Sequence, residues 1–176
     1  NFLKNIKEKA KQSPQIIVFP EGFEERIIIA AGKIVKEKTA IPILLGNPRT
    51  VKNIAEKKGN RLDWKKIEII DPKTSKKRKA YAETLYKLRK DKGLTEKGAD
   101  DLIQKLPYFG TMMVQINDAD GMIAGSTWST AESIRPALQI IKTKEPFHKV
   151  SAFFFMILEK RLLLFADVSI TIDPDA

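Results

Sequence analysis

The amino-acid sequence predicts an α/β fold, a three-layer sandwich with a mostly parallel sheet, plus the beginning of a second α/β domain. Short apolar runs alternate with segments whose apolar residues recur at helical spacing, a pattern typical of parallel strands joined by crossover helices. The 176 residues are 43% hydrophobic, which is enough for a substantial core. A change of character near the carboxyl end places the first domain at residues 1–147 and the second at 148–176.

The first domain opens with a strand and a helix. Pro14–Phe19 is a short apolar run that the turn Pro20–Gly22 closes, so it predicts a strand. Apolar residues then recur at helical spacing between Ile27 and Val35, which predicts a helix. The elements predicted after these are strands at 41–46, 67–70 and 122–125, helices at 49–58 and 108–114, a charged helix that ends near 92–93, and a helix that opens at 94–96.

Two very apolar runs, Val150–Leu158 and Leu162–Val168, follow each other closely near the carboxyl end. Charged residues at 159–161 join them, so the simplest structure is a hairpin or two tightly joined strands. The phenylalanine-rich run at 152–158 needs cover on both faces. We expect the rest of a second domain to supply that cover, and we expect the 176-residue chain alone to self-associate through this tract.

The composition excludes several kinds of site. The chain has no cysteine, which removes disulfides, thiolate nucleophiles and cysteine-based metal sites. Its one histidine, His148, has no clustered partners, so we predict no metal site. The glycine-rich fingerprints of NTPases and dinucleotide-binding enzymes are absent from the sequence. No signal peptide or membrane span is evident, and we expect a soluble, cytoplasmic protein with no membrane partner and no tightly bound cofactor.

The net charge of +10 is unevenly distributed. Residues 1–100 carry 25 basic and 13 acidic side chains, whereas residues 101–176 carry 7 and 9. The basic half is either a solvated, lysine-rich surface or an attractant for an anionic partner such as nucleic acid or a phosphorylated small molecule. Few aromatic residues are interleaved with the basic ones, which disfavours nucleic acid as a partner.

The stretch GSTWSTAE, which begins at Gly125, opens a predicted helix at the carboxyl end of a strand. Ser129 and Glu132 have the spacing of a capping box, which explains the hydroxyl residues Ser129 and Thr130 without any ligand. Gly125 and Ser126 add small residues that let backbone amides approach an anion at a helix N-terminus. These four small residues predict an anion site at the sheet edge where α/β proteins usually bind ligands.

Arginine is scarce in this chain, so the positions of Arg89 and Arg135 are informative. Each borders an apolar stripe of its predicted helix, a position that suits an anion held in a fixed orientation. A structural ion pair is the alternative for either residue. Pro136 either kinks the second helix or starts a new segment. The predicted stripe of that helix consists of Ala131, Ile134, Leu138 and Ile141.

A series of short motifs runs along nearly the whole chain. They are FPEG at 19–22, DPKTS at 71–75, YAE at 81–83 with KG at 92–93, YFG at 108–110 with MMV at 112–114, DADGM at 118–122, STA at 129–131, RPALQIIKT at 135–143 and FAD at 165–167. In this order they resemble the phosphate acetyltransferase family, also called phosphotransacetylase. The combination is far more specific than any single motif.

The resemblance implies a function and a site. The family interconverts acetyl-CoA plus phosphate with acetyl phosphate plus CoA, in a cleft between two α/β domains, usually within a homodimer. By this resemblance, Arg89 and Arg135 are associated with CoA and phosphate binding, and Ser129 and Thr130 line the cleft. The expected partners are therefore CoA, acetyl-CoA, acetyl phosphate and phosphate as substrates, with no nucleic acid.

The sequence also departs from the family pattern. The family's catalytic aspartate, serine and arginine lie in its carboxyl-terminal half and have no counterpart here, so we predict no catalytic residue in this chain. We expect an amino-terminal fragment that is inactive alone. Trp128 stands where the family usually has histidine, and Val168 where many members have cysteine. Two alternatives stay open, a phosphate butyryltransferase-like acyltransferase and a noncatalytic anion-binding module.

Overall fold

The computed structural model describes residues 2–144, 150–159, 161–168 and 170. The chain divides into two compact units, Asn1–Ile141 and Lys142–Ala176. The predicted division between residues 147 and 148 lies outside the described residues, as does His148, and the domain assignment stays a prediction. Within the described ranges, no helix is long and apolar enough to cross a membrane, and no three acidic or histidine side chains are grouped as metal ligands.

A four-stranded sheet lies at the centre of the first unit. Its strands are β1 Gln15–Phe19, β2 Ala40–Leu45, β3 Glu68–Ile70 and β4 Gly121–Met122. They lie in the order β3–β2–β1–β4, and all three neighbouring pairs are parallel. Parallel neighbours require crossover connections, and helices supply them, as the alternation of the sequence predicts. The α/β class with a mostly parallel sheet is therefore confirmed.

The described residues form seven α-helices and one short 3₁₀ turn. The helices are α1 Phe2–Gln12, α2 Glu25–Glu37, α3 Pro48–Lys57, α4 Arg78–Arg89, α5 Glu96–Ile103, α6 Leu106–Gln115 and α7 Thr130–Ile140, with the 3₁₀ turn at Lys90–Lys92 after α4. Helix α1 was not predicted from the sequence, although Phe2, Leu3, Ile6 and Ala10 recur at helical spacing, and none of its residues is buried. A side-chain cap begins α5, where Thr95 Oγ1 accepts the Gly98 N–H at 3.0 Å.

Two apolar clusters cover the two faces of the sheet and give the first unit three layers. Side chains alternate along each strand, so Leu44 joins one cluster whereas Ile43 and Leu45 join the other. The larger cluster contains residues of α4, α5, α6 and α7. The smaller contains Ile28 of α2 and Val51 of α3. The helices that flank the sheet thus leave its carboxyl edge as the place where loops meet.

The structure corrects the predicted strand at 122–125. Strand β4 ends at Met122, and Ile123 adds one further hydrogen bond by donating its N–H to the Val18 carbonyl at 3.0 Å. The chain then leaves the sheet because the next amides bond to a side chain, Glu21, instead of to a strand. The residues that were predicted to end a buried strand therefore form a loop.

Helix α7 decides between two alternatives and corrects one expectation. It contains Pro136 within one continuous helix, so of the two predicted alternatives the start of a new segment is excluded. The predicted apolar stripe is wrong, because Leu138 and Ile141 are each 46% exposed whereas Pro136 and Ile140 are buried. Ile140 packs in the larger cluster instead. Apolar residues occupy more than one side of this helix, and contact with the core selects the side that is buried.

The second unit contains a hairpin. Strands β5 Phe153–Ile157 and β6 Leu162–Ala166 pair antiparallel, which confirms the predicted hairpin. Its apolar side chains are largely in contact with solvent, at exposures between 38% and 60%. They are Phe153, Phe154, Phe155, Met156, Ile157, Leu158, Leu162, Leu164 and Phe165. That the hairpin begins a second α/β domain stays a prediction.

Candidate functional site

The loops that follow β1 and β4 meet at the carboxyl edge of the sheet. Strand β2 lies on one side of β1 and β4 on the other, so the strand order reverses between β1 and β4. Open α/β sheets bind ligands in the crevice at such a reversal. The predicted site residues Gly125, Ser126, Ser129 and Thr130 all follow β4, and the structure therefore places them beside this crevice.

A buried carboxylate, Glu21, joins the two loops. Its exposure is only 1%. Oε2 accepts the N–H groups of Gly125 at 2.9 Å and Ser126 at 3.0 Å. Oε1 accepts the Thr127 hydroxyl at 2.8 Å together with the Thr127 N–H. The amides that the sequence predicted for a ligand anion are thus bonded to an anion of the protein itself.

Hydrogen bonding keeps Glu21 ionised. Burial alone would raise the pKa of its carboxyl, but the donors at Ser126, Thr127 and Gly125 outweigh burial and hold the pKa below the ordinary value of 4.5. Arg26 in α2 contacts the same loop, donating from Nη2 to the Ser126 carbonyl at 3.2 Å and to the Ser126 hydroxyl at 3.0 Å. Two charged side chains therefore fix the loop after β4 to the segment after β1.

A cleft of about 830 Å³ opens beside this loop and contains both predicted arginines. Its wall combines aromatic, aliphatic and cationic side chains, a mixture that suits a ligand with both apolar and anionic parts. The described residues that line it are Phe23, Arg89, Lys92, Gly93, Leu94, Leu102, Gln104, Lys105, Leu106, Pro107, Tyr108, Trp128, Glu132, Arg135, Pro136 and Gln139.

A hydrogen-bonded group inside the cleft links α4, α6 and α7. The Tyr108 hydroxyl donates to Gln139 Oε1 at 2.7 Å, and Arg89 Nη1 donates to the Gln139 carbonyl at 3.2 Å. Burial raises the pKa of the Tyr108 hydroxyl, while the positive charges of Arg135 and Arg89 act in the opposite direction. Both guanidinium groups are thus close enough to Tyr108 to affect its ionisation. The structure therefore brings Arg89 and Arg135 to one site.

An arginine at the other end of α4 shows the structural alternative. Arg78 Nε donates to Asp100 Oδ1 at 2.9 Å, and Arg78 Nη2 bonds to Asp100 Oδ2, so the two side chains form a bidentate ion pair. Among the described residues, neither Arg89 nor Arg135 forms an ion pair of this kind. Glu132 also lines the cleft, and the hydrogen bonds of Ser129 together with the charge of Arg135 lower the pKa of its carboxyl. The two arginines of the cleft keep donors for an external anion.

The predicted capping box is confirmed at the start of α7. Ser129 Oγ accepts the Glu132 N–H at 3.3 Å, and the Ser129 N–H donates to Glu132 Oε2 at 3.0 Å. This arrangement accounts for Ser129 by local structure. Thr130 is the first residue of the helix, and neither it nor Ser129 lines the cleft, nor do Gly125 and Ser126. A ligand-binding role for these four residues stays a prediction.

A family model described as phosphate acetyl/butaryl transferase matches residues 1–176. The chain belongs to this family. It is 44% identical over 175 residues to the phosphate acetyltransferase of Synechocystis sp., a match that covers 99% of this chain and 25% of that protein. It is 42% identical over 182 residues to the phosphate acetyltransferase of Thermoanaerobacterium thermosaccharolyticum, covering 100% of this chain and 54% of that protein.

Two solved structures of phosphotransacetylases share the fold. The enzyme from Streptococcus pyogenes matches with a TM-score of 0.89 at 36% identity, and the one from Staphylococcus aureus with a TM-score of 0.87 at 37% identity. Each match covers 98% of this chain and 52% of that chain. The resemblance seen in the motifs is therefore confirmed, and the chain spans between a quarter and about half of the length of these relatives.

One of the family motifs, DADGM, has a structural role in this member of the phosphate acetyl/butaryl transferase family. Asp118 accepts hydrogen bonds from the Lys77 ammonium and from the buried Tyr81 hydroxyl. Asp120 Oδ2 accepts the Ile16 N–H at 2.7 Å, and the Asp120 N–H donates to the Ile16 carbonyl at 2.8 Å. These bonds hold the segment before β4 against the start of β1 and against α4. They thereby stabilise the two strands whose carboxyl ends flank the crevice.

Sequence reasoning missed three residues of this site, Glu21, Tyr108 and Gln139. The signal for Glu21 was its position immediately after a buried strand, in a turn that closes the strand at its carboxyl end. Tyr108 and Gln139 lie within the motifs YFG and RPALQIIKT, which signalled the family but no individual role for either residue. Trp128, which stands where the family usually has histidine, lines the cleft.

Proposed function

We propose that this chain is part of a phosphate acetyltransferase and forms one wall of the site that transfers an acetyl group between CoA and inorganic phosphate. Membership of the family and the names of its relatives support the reaction class. One observation carries the proposal for this chain. Arg89 and Arg135 lie in the cleft with Tyr108, and neither has an ion-pair partner among the described residues.

The proposed reaction requires binding of anions at each stage. A phosphate oxygen bonds to the acetyl carbonyl carbon while the carbon–sulfur bond of acetyl-CoA breaks, and the departing thiolate takes up a proton. Phosphate, acetyl phosphate and CoA all carry phosphate oxygens, to which a guanidinium donates paired, charge-assisted hydrogen bonds. Arg89 uses one of its five N–H donors for the hydrogen bond to the Gln139 carbonyl. This bond orients the guanidinium, and the remaining N–H donors are left for a ligand.

Several finer features belong to the same proposal. We assign acetyl rather than butyryl as the acyl group because relatives at 40–44% identity are named phosphate acetyltransferases. CoA is then a substrate and not a resident cofactor. The apolar hairpin supports a homodimer, since exposed apolar surface of this extent is typical of protein interfaces. The absence of cysteine fits a cytoplasmic protein.

Calorimetric titration of the 176-residue chain with CoA tests the role of Arg135. If this guanidinium binds a phosphate group of CoA, Arg135→Ala should weaken binding by about 1.5–3 kcal/mol, the range for hydrogen bonds to charged groups. Arg49→Ala is the matched control, because Arg49 is an exposed cation on α3, the helix that packs in the smaller cluster. This control should bind CoA like the parent chain.

The result separates the proposed enzyme from the noncatalytic module. Unchanged CoA affinity in Arg135→Ala would remove this residue from the site. An equal loss in Arg135→Ala and Arg49→Ala would indicate general attraction of anions to a basic surface, which is the behaviour of the alternative module. Duplex DNA should bind only weakly to the parent chain, with the steep salt dependence of nonspecific phosphate contacts.

A further inference from the structure

We infer that Phe23 and Trp128 form a stacking platform for the purine base of CoA, in the same cleft that holds Arg89 and Arg135. The inference rests on the proposed function, because it is CoA that brings an adenine nucleotide with several phosphate groups to this cleft. It concerns the aromatic part of the cleft wall. Neither the capping box of α7 nor the anion-binding role of the two arginines explains this aromatic surface.

The two aromatic residues meet at the reversal of the strand order. Phe23 belongs to the segment after β1 and Trp128 to the segment after β4, and their ring centroids are 6.3 Å apart with an interplanar angle of 63°. Phe23 is 39% exposed and Trp128 is half-buried, and both rings line the cleft. The pair therefore presents aromatic surface to the interior of the cleft and not only to the core.

The Glu21 hydrogen bonds hold this pair in position. Glu21 is two residues from Phe23. Thr127, which donates both its main-chain N–H and its hydroxyl to the Glu21 carboxylate, is adjacent to Trp128. The backbones on which the two rings stand are thus fixed to each other by a buried charge. A platform that is ordered before the ligand arrives loses less conformational entropy when it binds.

The platform and Arg135 lie at different positions along the start of α7. From Ser129, which follows Trp128, to Arg135 is six steps along the chain, and at a helical rise of about 1.5 Å per residue the two backbone positions are about 9 Å apart. A base on the aromatic pair and a phosphate at Arg135 therefore bind at two separate points, as the base and the phosphates of an adenine nucleotide require. An aromatic face suits any base because every base has a flat π-surface, whereas the thiol-bearing arm of CoA has no ring to stack.

Tryptophan fluorescence gives a direct test, because the chain has two tryptophans and only Trp128 lines the cleft. Trp64 packs against the smaller cluster on the other face of the sheet, with Lys52 Nζ 5.9 Å from its ring centroid. In a Trp64→Phe chain, Trp128 is the single reporter. Adenosine 3′,5′-bisphosphate, which is the nucleotide part of CoA, should quench its emission in a saturable way, and pantetheine should not.

Variants made in the Trp64→Phe chain complete the test. Trp128→Leu should weaken binding of the bisphosphate at least about fivefold by calorimetry, whereas Trp128→Phe, which keeps a ring, should retain most of the affinity. Phe23→Leu serves as a second variant, and it should weaken the bisphosphate in the same direction. Inorganic phosphate should bind Trp128→Leu as it binds the parent chain, because it has no base.

Each outcome bears on one proposal. If Trp128→Leu and Phe23→Leu bind the bisphosphate as tightly as the parent while CoA still binds, the platform is overturned and the proposed function stands. If pantetheine quenches Trp128 and the bisphosphate does not, the aromatic pair contacts the thiol arm, and the purine assignment is wrong. If the parent chain binds no CoA at all, the proposed function fails and this inference fails with it.

Discussion

Glu21 and the loop residues that donate to it, here called the Glu21 junction, place a charged side chain in the interior of the first unit. The hairpin of the second unit does the opposite and places apolar side chains in contact with solvent. Glu21 is charged and almost fully buried, whereas Phe154 and Leu164 are apolar and more than half exposed. Most buried residues are apolar and most charged ones are exposed, so both departures carry information. The buried charge marks a site that is completed within the unit, and the exposed hairpin marks a surface that is not.

The difference lies in which groups each region satisfies. At the Glu21 junction the N–H groups of Gly125, Ser126 and Thr127 all meet the carboxylate, and no buried side-chain nitrogen or oxygen among the described residues lacks a partner. In the hairpin the backbone ladder is complete, but the side chains on its strands keep contact with water. Hydrogen bonds therefore provide partners for the polar groups of the Glu21 junction, whereas they leave the apolar side chains of the hairpin exposed.

The largest expected effect is a change of assembly state at the hairpin. Replacing Phe154 and Leu164 together by serine removes two of its most exposed apolar side chains. Because exposed apolar patches drive association, we expect the parent chain to self-associate and the double variant to shift strongly toward monomer. Light scattering over a range of micromolar concentrations measures this shift.

Leu3→Ser on α1 is the control for the hairpin variant, since it makes the same kind of change at an exposed apolar residue outside the hairpin. A monomeric parent chain at high concentration would contradict the prediction.

A smaller effect is expected from removing the buried charge. Glu21→Gln keeps the size of the side chain but weakens bonds to Gly125, Ser126 and Thr127 and introduces an amide donor beside other donors. We expect the free energy of unfolding to fall by about 1.5–3 kcal/mol, the range for hydrogen bonds to a charged group. Urea denaturation measures this loss.

The matched control for Glu21 is Glu37→Gln, at the end of α2 and outside the junction. Glu37 pairs with Lys7 at 2.8 Å, both side chains are largely exposed, and such pairs contribute little to stability. We expect a clearly smaller loss of stability in this variant. Similar losses in both variants would show that the buried carboxylate has no special role in holding the two loops together.

The smallest expected effect is a pH dependence of the difference in stability between the parent chain and Glu21→Gln. The pKa of the Glu21 carboxyl is lowered in the folded protein, so its contribution to stability is complete above the ordinary value of 4.5 and is lost as the pH falls through the lower, folded value. The stability difference between the parent chain and Glu21→Gln should therefore shrink as the pH is lowered from 7 to below 4.5. Urea titrations at several pH values measure it, and a constant difference would exclude titration of Glu21 as the cause.

The sequence was sufficient to predict features that depend on neighbouring residues. The capping box of Ser129 and Glu132, the turn after Phe19 and the hairpin at the carboxyl end each arise from short patterns, and the structure confirms them. The order of the motifs identified the family, because many short patterns in a fixed order are improbable by chance. These predictions needed no knowledge of which segments meet in space.

Features that depend on distant contacts could not be predicted in this way. Glu21 bonds to residues more than 100 positions away, and a single glutamate after a strand does not reveal its partner. The prediction of which side of α7 is buried was wrong, because Leu138 and Ile140 are both apolar and only packing against the core distinguishes them. The ligand roles of Gly125, Ser126, Ser129 and Thr130 stay predictions, whereas the placement of Arg89 and Arg135 in one cleft is a finding of the structure.

The separation along the chain between Glu21 and its partners also has a consequence for the order of folding. Strands β1 and β2 pair residues about 25 positions apart, but Glu21 reaches Gly125 across 104 positions, and loops of that length close slowly. Gly22 adds a steric condition, because a Cβ at this position would lie 2.6 Å from the Leu45 carbonyl oxygen. From these sequence separations we expect the β1–β2 pair to form before the junction, and the cleft to be among the last parts of the first unit to assemble. Glu21→Gln should accordingly accelerate unfolding more than it slows refolding, which stopped-flow kinetics can distinguish.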